Sequence, residues 1–299
     1  MKILRSFWVL ALAAVLGGCD YVDAPYIVEG PDGCTVTEPD FVPRTNPVRK
    51  VLVEDFTGHR CGNCPRAAEA IHDMQEAHPG QVVALGVHSV YPSEYTSTYP
   101  NDIAINPQLK YIYNFTREVS NAIDEKFQVS NSGLPKGMVN RMQVSGSRAL
   151  SYSTWETHAS SILAGDPDVD IQVKPFYDAA DSSLCTYVYT QFLNPIGGRY
   201  KVVAYLTENG FVSWQKDYDA SPQDIQLYEH NHILRENISS VWGTLLVDGT
   251  ATAGEEYING YSITIDPSKY DITKCYVVAF VYDETTWEVI QAEEQKIIN

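Results

Sequence analysis

Two cysteines three residues apart, in Cys61-Gly62-Asn63-Cys64-Pro65, are the residues of this 299-residue chain best placed to do chemistry. The segment 65–78 sets Ala67, Ala70, Ile71, Met74 and Ala77 at helical spacing, so the pair stands at a helix N-terminus. Unpaired backbone N–H groups and the positive end of the helix dipole there favour thiolate over thiol. The second cysteine, one turn further in, can close a disulfide or resolve a mixed disulfide. His59, Arg60 and Arg66 add positive or potentially positive groups nearby. Zinc is the competing use of these side chains, with His59, Cys61, Cys64 and His72 as four ligands. A structural zinc site normally joins two knuckles, whereas this helix fixes Cys64 and His72 on different turns, so no metal is expected. A disulfide that never turns over stands beside the redox reading.

The elements that must hold the pair are legible around it. Val51-Leu52-Val53 with Phe56 reads as a buried strand, and Val82–Val87 as a central parallel strand covered on both faces. Strand, helix and strand within about 40 residues make a βαβ unit, with the dicysteine at its first turn. This resembles the thioredoxin superfamily, in which a buried acid and an aromatic stand where Asp55 and Phe56 stand here. The resemblance implies Cys61 as nucleophile, Cys64 as resolving thiol and Asp55 as proton acceptor. It also implies a cis-proline guiding the substrate strand, which Leu134-Pro135 fits, with Gly133 before it and Met138, Val139 and Met142 after. Ser153-x-x-Glu156 reads as a capping box for a final helix buried through Trp155, Ala159, Ile162 and Leu163. Two features depart from that family: Arg60 replaces its usual Trp, and the stretch from Cys64 to Pro135 is long. The surplus, about 89–127, reads as an insertion near the active-site edge. It carries Tyr91, Tyr95, Tyr99, Tyr111 and Tyr113 and a helix-like run from Pro107 to Phe127, and its tyrosines favour a contact surface.

The N-terminus speaks to location. Lys2 and Arg5 precede the apolar run Phe7–Leu16, which spans about 15 Å as a helix, half of a bilayer core. Residues 1–18 therefore read as a signal peptide. Leu16-Gly17-Gly18-Cys19 looks like the lipobox of bacterial lipoproteins, which implies acyl chains such as palmitate on Cys19 and a chain anchored to a membrane without spanning it. Residues 19–48 hold Pro25, Pro31, Pro39, Pro43 and Pro47 and read as a tether, with Cys34 unexplained. A net charge of −17 disfavours nucleic acid as a partner and electrostatic docking on anionic lipid.

Beyond Gly165-Asp166-Pro167 the pattern has a period of two, as in Val169-Ile171-Val173, with further β-rich runs separated by turn chemistry. The fold class expected is an α/β thioredoxin-like domain over 49–165 followed by an all-β, immunoglobulin-like sandwich over 166–299. Residues 49–165 read as a unit able to fold alone. Cys185 and Cys275 each stand near a strand start and are candidates for a second disulfide. His230 and His232, in Tyr-Glu-His-Asn-His-Ile-Leu-Arg (228–235), would share one face if extended, but no third metal ligand is evident.

In this order, the lipobox, Val51–Pro65, Leu134-Pro135 before Val139-Asn140-Arg141, and the 228–235 segment resemble the twenty-eight-kilodalton outer-membrane protein family of Bacteroidetes. The resemblance implies a lipid-anchored outer-membrane protein, periplasmic or surface-exposed, with a protein or glycan partner and no cofactor. Binding or adhesion and thiol–disulfide exchange through Cys61 and Cys64 both remain open as its activity.

Overall fold

The computed structural model describes residue 34 and residues 36–298, so the signal peptide and Cys19 lie outside the described residues. Strands β1 (Val51–Phe56) and β2 (Val82–Val87) run parallel and are joined through helix α1 (Cys64–Ala77). A short helix α2 (Ser93–Thr96) and irregular chain lead to α3 (Glu118–Phe127). Strand β3 (Lys136–Val139) then pairs antiparallel with β1, and α4 (Trp155–Leu163) follows. The remaining long elements are strands: β4 (Val169–Asp178), β5 (Ser183–Phe192), β6 (Ile196–Glu208), β7 (Phe211–Lys216), β8 (Asp224–His230), β9 (Ile233–Asn237), β10 (Thr244–Ala251), β11 (Glu256–Thr264), β12 (Cys275–Asp283) and β13 (Val289–Lys296). The fold is mixed α/β, mostly strands in several sheets.

The main sheet runs β13-β12-β6-β9-β2-β1-β3, with β10 also on β6. It crosses from one half of the sequence to the other where β9 meets β2. Gly86 permits that approach: its N–H donates to the His232 carbonyl at 2.6 Å, and a Cβ there would lie 3.3 Å from the same oxygen. The sheet curls until its far end returns to β1, where Lys50 N–H donates to Gln291 Oε1 at 2.8 Å.

Three apolar layers result. Val51 and Val53 pack with α1 and α4, whereas Leu52 and Phe56, on the opposite face of β1, pack with α3 and with Val203, Tyr205, Val278 and Phe280. The alternate residues of the same late strands, Val202, Ala204, Val277 and Ala279, face Val169, Ile171 and Val188 of a second sheet, β11-β5-β4. Strands β6 and β12 are thus covered on both faces over residues 202–206 and 277–282, which explains the unbroken apolar runs there. The middle core draws on residues from both sides of Gly165.

Glu54 and Glu208 are buried carboxylates within the strands, and each has its own arginine. Glu54 accepts from Arg141 Nε and Nη2 at 2.8 and 2.7 Å, both side chains being fully buried. Glu208 takes the same role for Arg235, at 2.8 Å from Nε. The guanidinium of Arg141 lies over Phe280 and that of Arg235 over Phe211, so arginine's flat, weakly hydrated cation is suited to both sites.

Several sequence expectations need correction. The second half of the Pro-rich segment is no tether, because residue 34 and residues 36–48 form a strap along the outer face of β4 and β5. Phe41 stacks on Tyr189, Tyr187 donates to the Val36 carbonyl at 2.6 Å, and Arg44 bridges Asp170 and Glu293 at 2.9 Å each. Proline bars a ladder, but extended chain can still lie across a sheet. Cys185 pairs with Cys34, not with Cys275. The period of two decides it: Cys185 shares the outer face of β5 with Tyr187, whereas Cys275 points into the core between the sheets. Burial pushes the Cys275 thiol up to about 12, so it stays protonated. The helix-like run Pro107–Phe127 is helical only from Glu118. Ser153 caps nothing: α4 begins after Thr154, and Glu156 accepts from Ser160 Oγ at 2.7 Å and contacts His78.

Candidate functional site

Cys61 and Cys64 are joined as a disulfide at the start of α1, and Pro65 occupies the first turn, where a missing N–H costs nothing. Both cysteines are only 2% exposed. The Leu134–Pro135 peptide is cis, and Pro135 is buried immediately before β3. Because Lys136 stands opposite Phe56, Pro135 lies at the end of the sheet from which the dicysteine loop departs. Asp55, one residue earlier on β1, is buried with no partner for Oδ1 among the described residues, and burial raises its carboxyl to about 8.

What covers the disulfide comes from 150 residues further along the chain. Strands β7 and β8 form a two-stranded hairpin, separate from both large sheets, which lies on the 58–62 loop. Lys216 N–H donates to the His59 carbonyl at 2.8 Å and Tyr218 N–H to the Gly62 carbonyl at 2.9 Å. Gln215 Nε2 reaches the carbonyls of Gly58 and Cys61 at 3.3 and 3.1 Å. The Tyr218 ring rests on Gly62, where a Cβ would come within 2.5 Å of it, so only glycine leaves room for this contact. The tyrosine-rich excursion braces the hairpin: Tyr111 and Lys110 both donate to Asp224, at 2.6 and 2.7 Å. Arg60 is turned outward, bonded to Ser97 Oγ at 2.7 Å with its guanidinium over Tyr99.

Behind the disulfide lies a cleft of about 430 Å³ with Asp55, Cys64, His88, Tyr228 and His230 in its walls. His88 has no side-chain hydrogen-bond partner among the described residues, only the backbone of Gly86, and Nε2 of His230 has no partner among them. Burial pushes His230 down to about 3 and His88 well below the usual range, so both rings are neutral. Tyr228 is held up to about 12, first by burial and then by Asp55, Asp217 and Glu69 around it.

Sequence reasoning brought Asp55, Cys61, Cys64 and Pro135 to one end of the sheet. It missed the hairpin, His88 and the cleft. His230 and His232 do not share a strand face, since β8 ends at His230 and His232 takes a left-handed φ of 56°. His72 lies on the exposed side of α1, 3.3 Å from Glu76, and His59 is buried against Ser97, so the four candidate zinc ligands are not gathered. Among the described residues no group of three or more His, Cys, Asp or Glu is arranged to hold a metal ion, and no helix is long and apolar enough to cross a membrane.

The fold and the site define a mixed α/β protein in which a dicysteine loop is clasped by a hairpin from the β-rich half. The chain belongs to the family of outer membrane protein Omp28, whose model matches residues 120–299, and its location is the outer membrane. Among solved structures it resembles HBP35 of Porphyromonas gingivalis, with a TM-score of 0.60 and 19% identity over 85% of this chain and 77% of that one. A domain of the outer membrane lipoprotein Omp28 from Porphyromonas gingivalis aligns at 20% identity over 44% of this chain and 89% of that one, with a TM-score of 0.30. No curated protein matches.

Proposed function

We propose that this protein is a lipid-anchored envelope binding protein, attached through Cys19, whose dicysteine is closed to protein substrates. Its thioredoxin-like half (49–165) and immunoglobulin-like half (166–299) form one body that presents a surface to a protein or glycan partner. The observation that carries this reading is the hairpin bonded across residues 58–62, over a disulfide whose sulfurs are buried. A protein substrate of a dithiol catalyst must lay its own chain against that loop, and β7 already occupies it. Exposed Tyr99, Ile103 and Ile105 on the tyrosine-rich excursion, with Val212 and Leu227 on the hairpin, supply apolar contact area near the same end. Reduction of a folded protein disulfide by the mature chain, with dithiothreitol as electron source, should be no faster than with Cys61→Ser. Faster turnover by the native chain overturns the reading. The anchor is tested separately: Cys19→Ala should leave the membrane fraction.

The second reading, an extracytoplasmic thiol–disulfide oxidoreductase, is favoured by Asp55. A buried carboxyl titrating near 8 beside Cys64 is poised to exchange a proton with a thiol at neutral pH. In that reading Cys61 attacks, Cys64 resolves and Pro135 guides the substrate strand.

A further inference from the structure

The hairpin closes one approach to the disulfide, and the cleft leaves another. Cys64, not Cys61, forms part of the cleft wall, so a molecule inside it meets the second cysteine first. A cleft of about 430 Å³ excludes a folded chain and admits a molecule of a few heavy atoms. Its charge is one-sided. Glu69 from α1, and Asp217 and Glu229 from the hairpin, line it, while its buried histidines are neutral and Asp55 keeps its proton at neutral pH. Among the described residues no arginine lines it: Arg66 is engaged with Asp219, Arg235 with Glu208, and Arg60 with Ser97 and Tyr99. Asp55 is more than nine-tenths buried and presents an Oδ1 without a partner among the described residues.

We propose that this cleft is a binding site for low-molecular-weight aminothiols, which reach the disulfide at Cys64 and are oxidised there. The attacking thiolate forms a bond to Cys64 Sγ as the Cys61–Cys64 bond breaks, and Cys61 departs with the electron pair as a thiolate. A second thiolate attacks the outer sulfur of that mixed disulfide and releases Cys64. Two small thiols lose two electrons and two protons and become one small disulfide; Cys61 and Cys64 gain both and become thiols. An ammonium group on the thiol offsets the negative field of the cleft, whereas a carboxylate adds to it. The assignment rests on the reading that folded proteins do not reach the dicysteine.

The test is a charge series on the mature protein: cysteamine, 2-mercaptoethanol and 3-mercaptopropionate. Each rate of disulfide reduction is divided by the same thiol's rate with the oxidised peptide Arg60–Pro65, which removes differences in intrinsic nucleophilicity. The normalised rate for cysteamine should exceed that for 3-mercaptopropionate by tenfold or more at low ionic strength. In 1 M salt, where screening acts over about 3 Å, the ratio should fall below threefold. Glu69→Gln, at an exposed position, should narrow the low-salt ratio, and Glu229→Gln should do so from the hairpin side. Acid quenching, alkylation and peptide mapping should place the small thiol on Cys64 and the alkyl group on Cys61. A ratio near one at low salt, or an adduct on Cys61, overturns the assignment. Turnover of a folded protein disulfide would instead overturn the closed-site reading, so the two failures are distinguishable.

Discussion

Cys34–Cys185 joins residues 151 apart in sequence, whereas Cys61–Cys64 joins residues three apart, and their surroundings differ as much as their loops. The long-range bond ties the strap to the outer face of β5, packed among Tyr187, Val36 and Phe41. The short-range bond sits between a hairpin that covers it and a cleft holding neutral histidines and Asp55, whose Oδ1 has no partner among the described residues. The chain-entropy model assigns ~5 kcal/mol to closing a loop as long as the first and ~2 kcal/mol to the second. One disulfide is built to hold the fold, and the other to be held by it.

The largest test of that contrast is to remove each bond in turn. Cys34→Ser with Cys185→Ser should lower unfolding free energy by ~5 kcal/mol in a denaturant titration, and Cys61→Ser with Cys64→Ser by ~2 kcal/mol. Equal losses would break the comparison. Arg44→Ala probes the strap's other clasp. It leaves Asp170, which is 1% exposed, without its cation, and should cost ~2 kcal/mol.

Asp55→Asn should act in the opposite direction, and only above acid pH. The unfolded carboxyl titrates near 3.8 and the folded one at about 8. Below 3.8 both states carry the proton and the group contributes nothing. Between 3.8 and 8 the unfolded chain ionises while the folded chain does not, so stability falls as pH rises. The loss reaches ~4 kcal/mol at pH 7 and levels off above pH 8. Asn does not titrate, so Asp55→Asn should be more stable than the native chain at pH 7, with the difference vanishing near pH 3.5. A difference independent of pH would mean that Asp55 is ionised in the folded protein. On the strap side burial also raises the Asp170 carboxyl, but Arg44 offsets part of that, so the corresponding gain there should be smaller.

The same contrast explains what the sequence disclosed. The dicysteine, its helix, β1 and β2 are encoded by local spacing and apolar runs, and local signals survive without a structure, whereas Asp55 and the proline before β3 were singled out by the resemblance to the thioredoxin superfamily. Cys34 carried no such signal, because its partner lies 151 residues away and nothing in its own surroundings names Cys185. Period-two arithmetic did hold a clue, since Cys185 alternates with Leu184 and Val188, which face the core, and so cannot reach Cys275. Proline density misled because it excludes ladders without excluding packing, and Phe41 and Arg44 fasten the strap through side chains. Glu54, within the apolar run Val51–Phe56, was readable as a buried charge in need of a cation, but not the arginine it would take; Glu208 read as the start of the Glu208-Asn209-Gly210 turn. The hairpin escaped notice for the same reason as the strap: β7 and β8 look like any exposed pair of strands until the 58–62 loop is beneath them.

The smallest effect expected concerns that cover. Tyr218 is 47% exposed, yet its ring closes the space above Gly62. Tyr218→Ala removes little buried area and should change unfolding free energy by less than ~1 kcal/mol. It should nevertheless speed reduction of Cys61–Cys64 by dithiothreitol at pH 7 by about tenfold, equivalent to ~1.4 kcal/mol in the barrier. Gly62→Ala offers an independent route to the same state, because its Cβ would meet the far ring of a half-exposed side chain and displace it outward. The two substitutions should not add, since the second acts only by moving what the first deletes. Neither should alter the reactivity of Cys34–Cys185, which lies on the outer face of the second sheet. If Tyr218→Ala leaves the reduction rate unchanged, the main-chain bonds of Lys216 and Tyr218 to the loop, and not the ring, are what shield the disulfide.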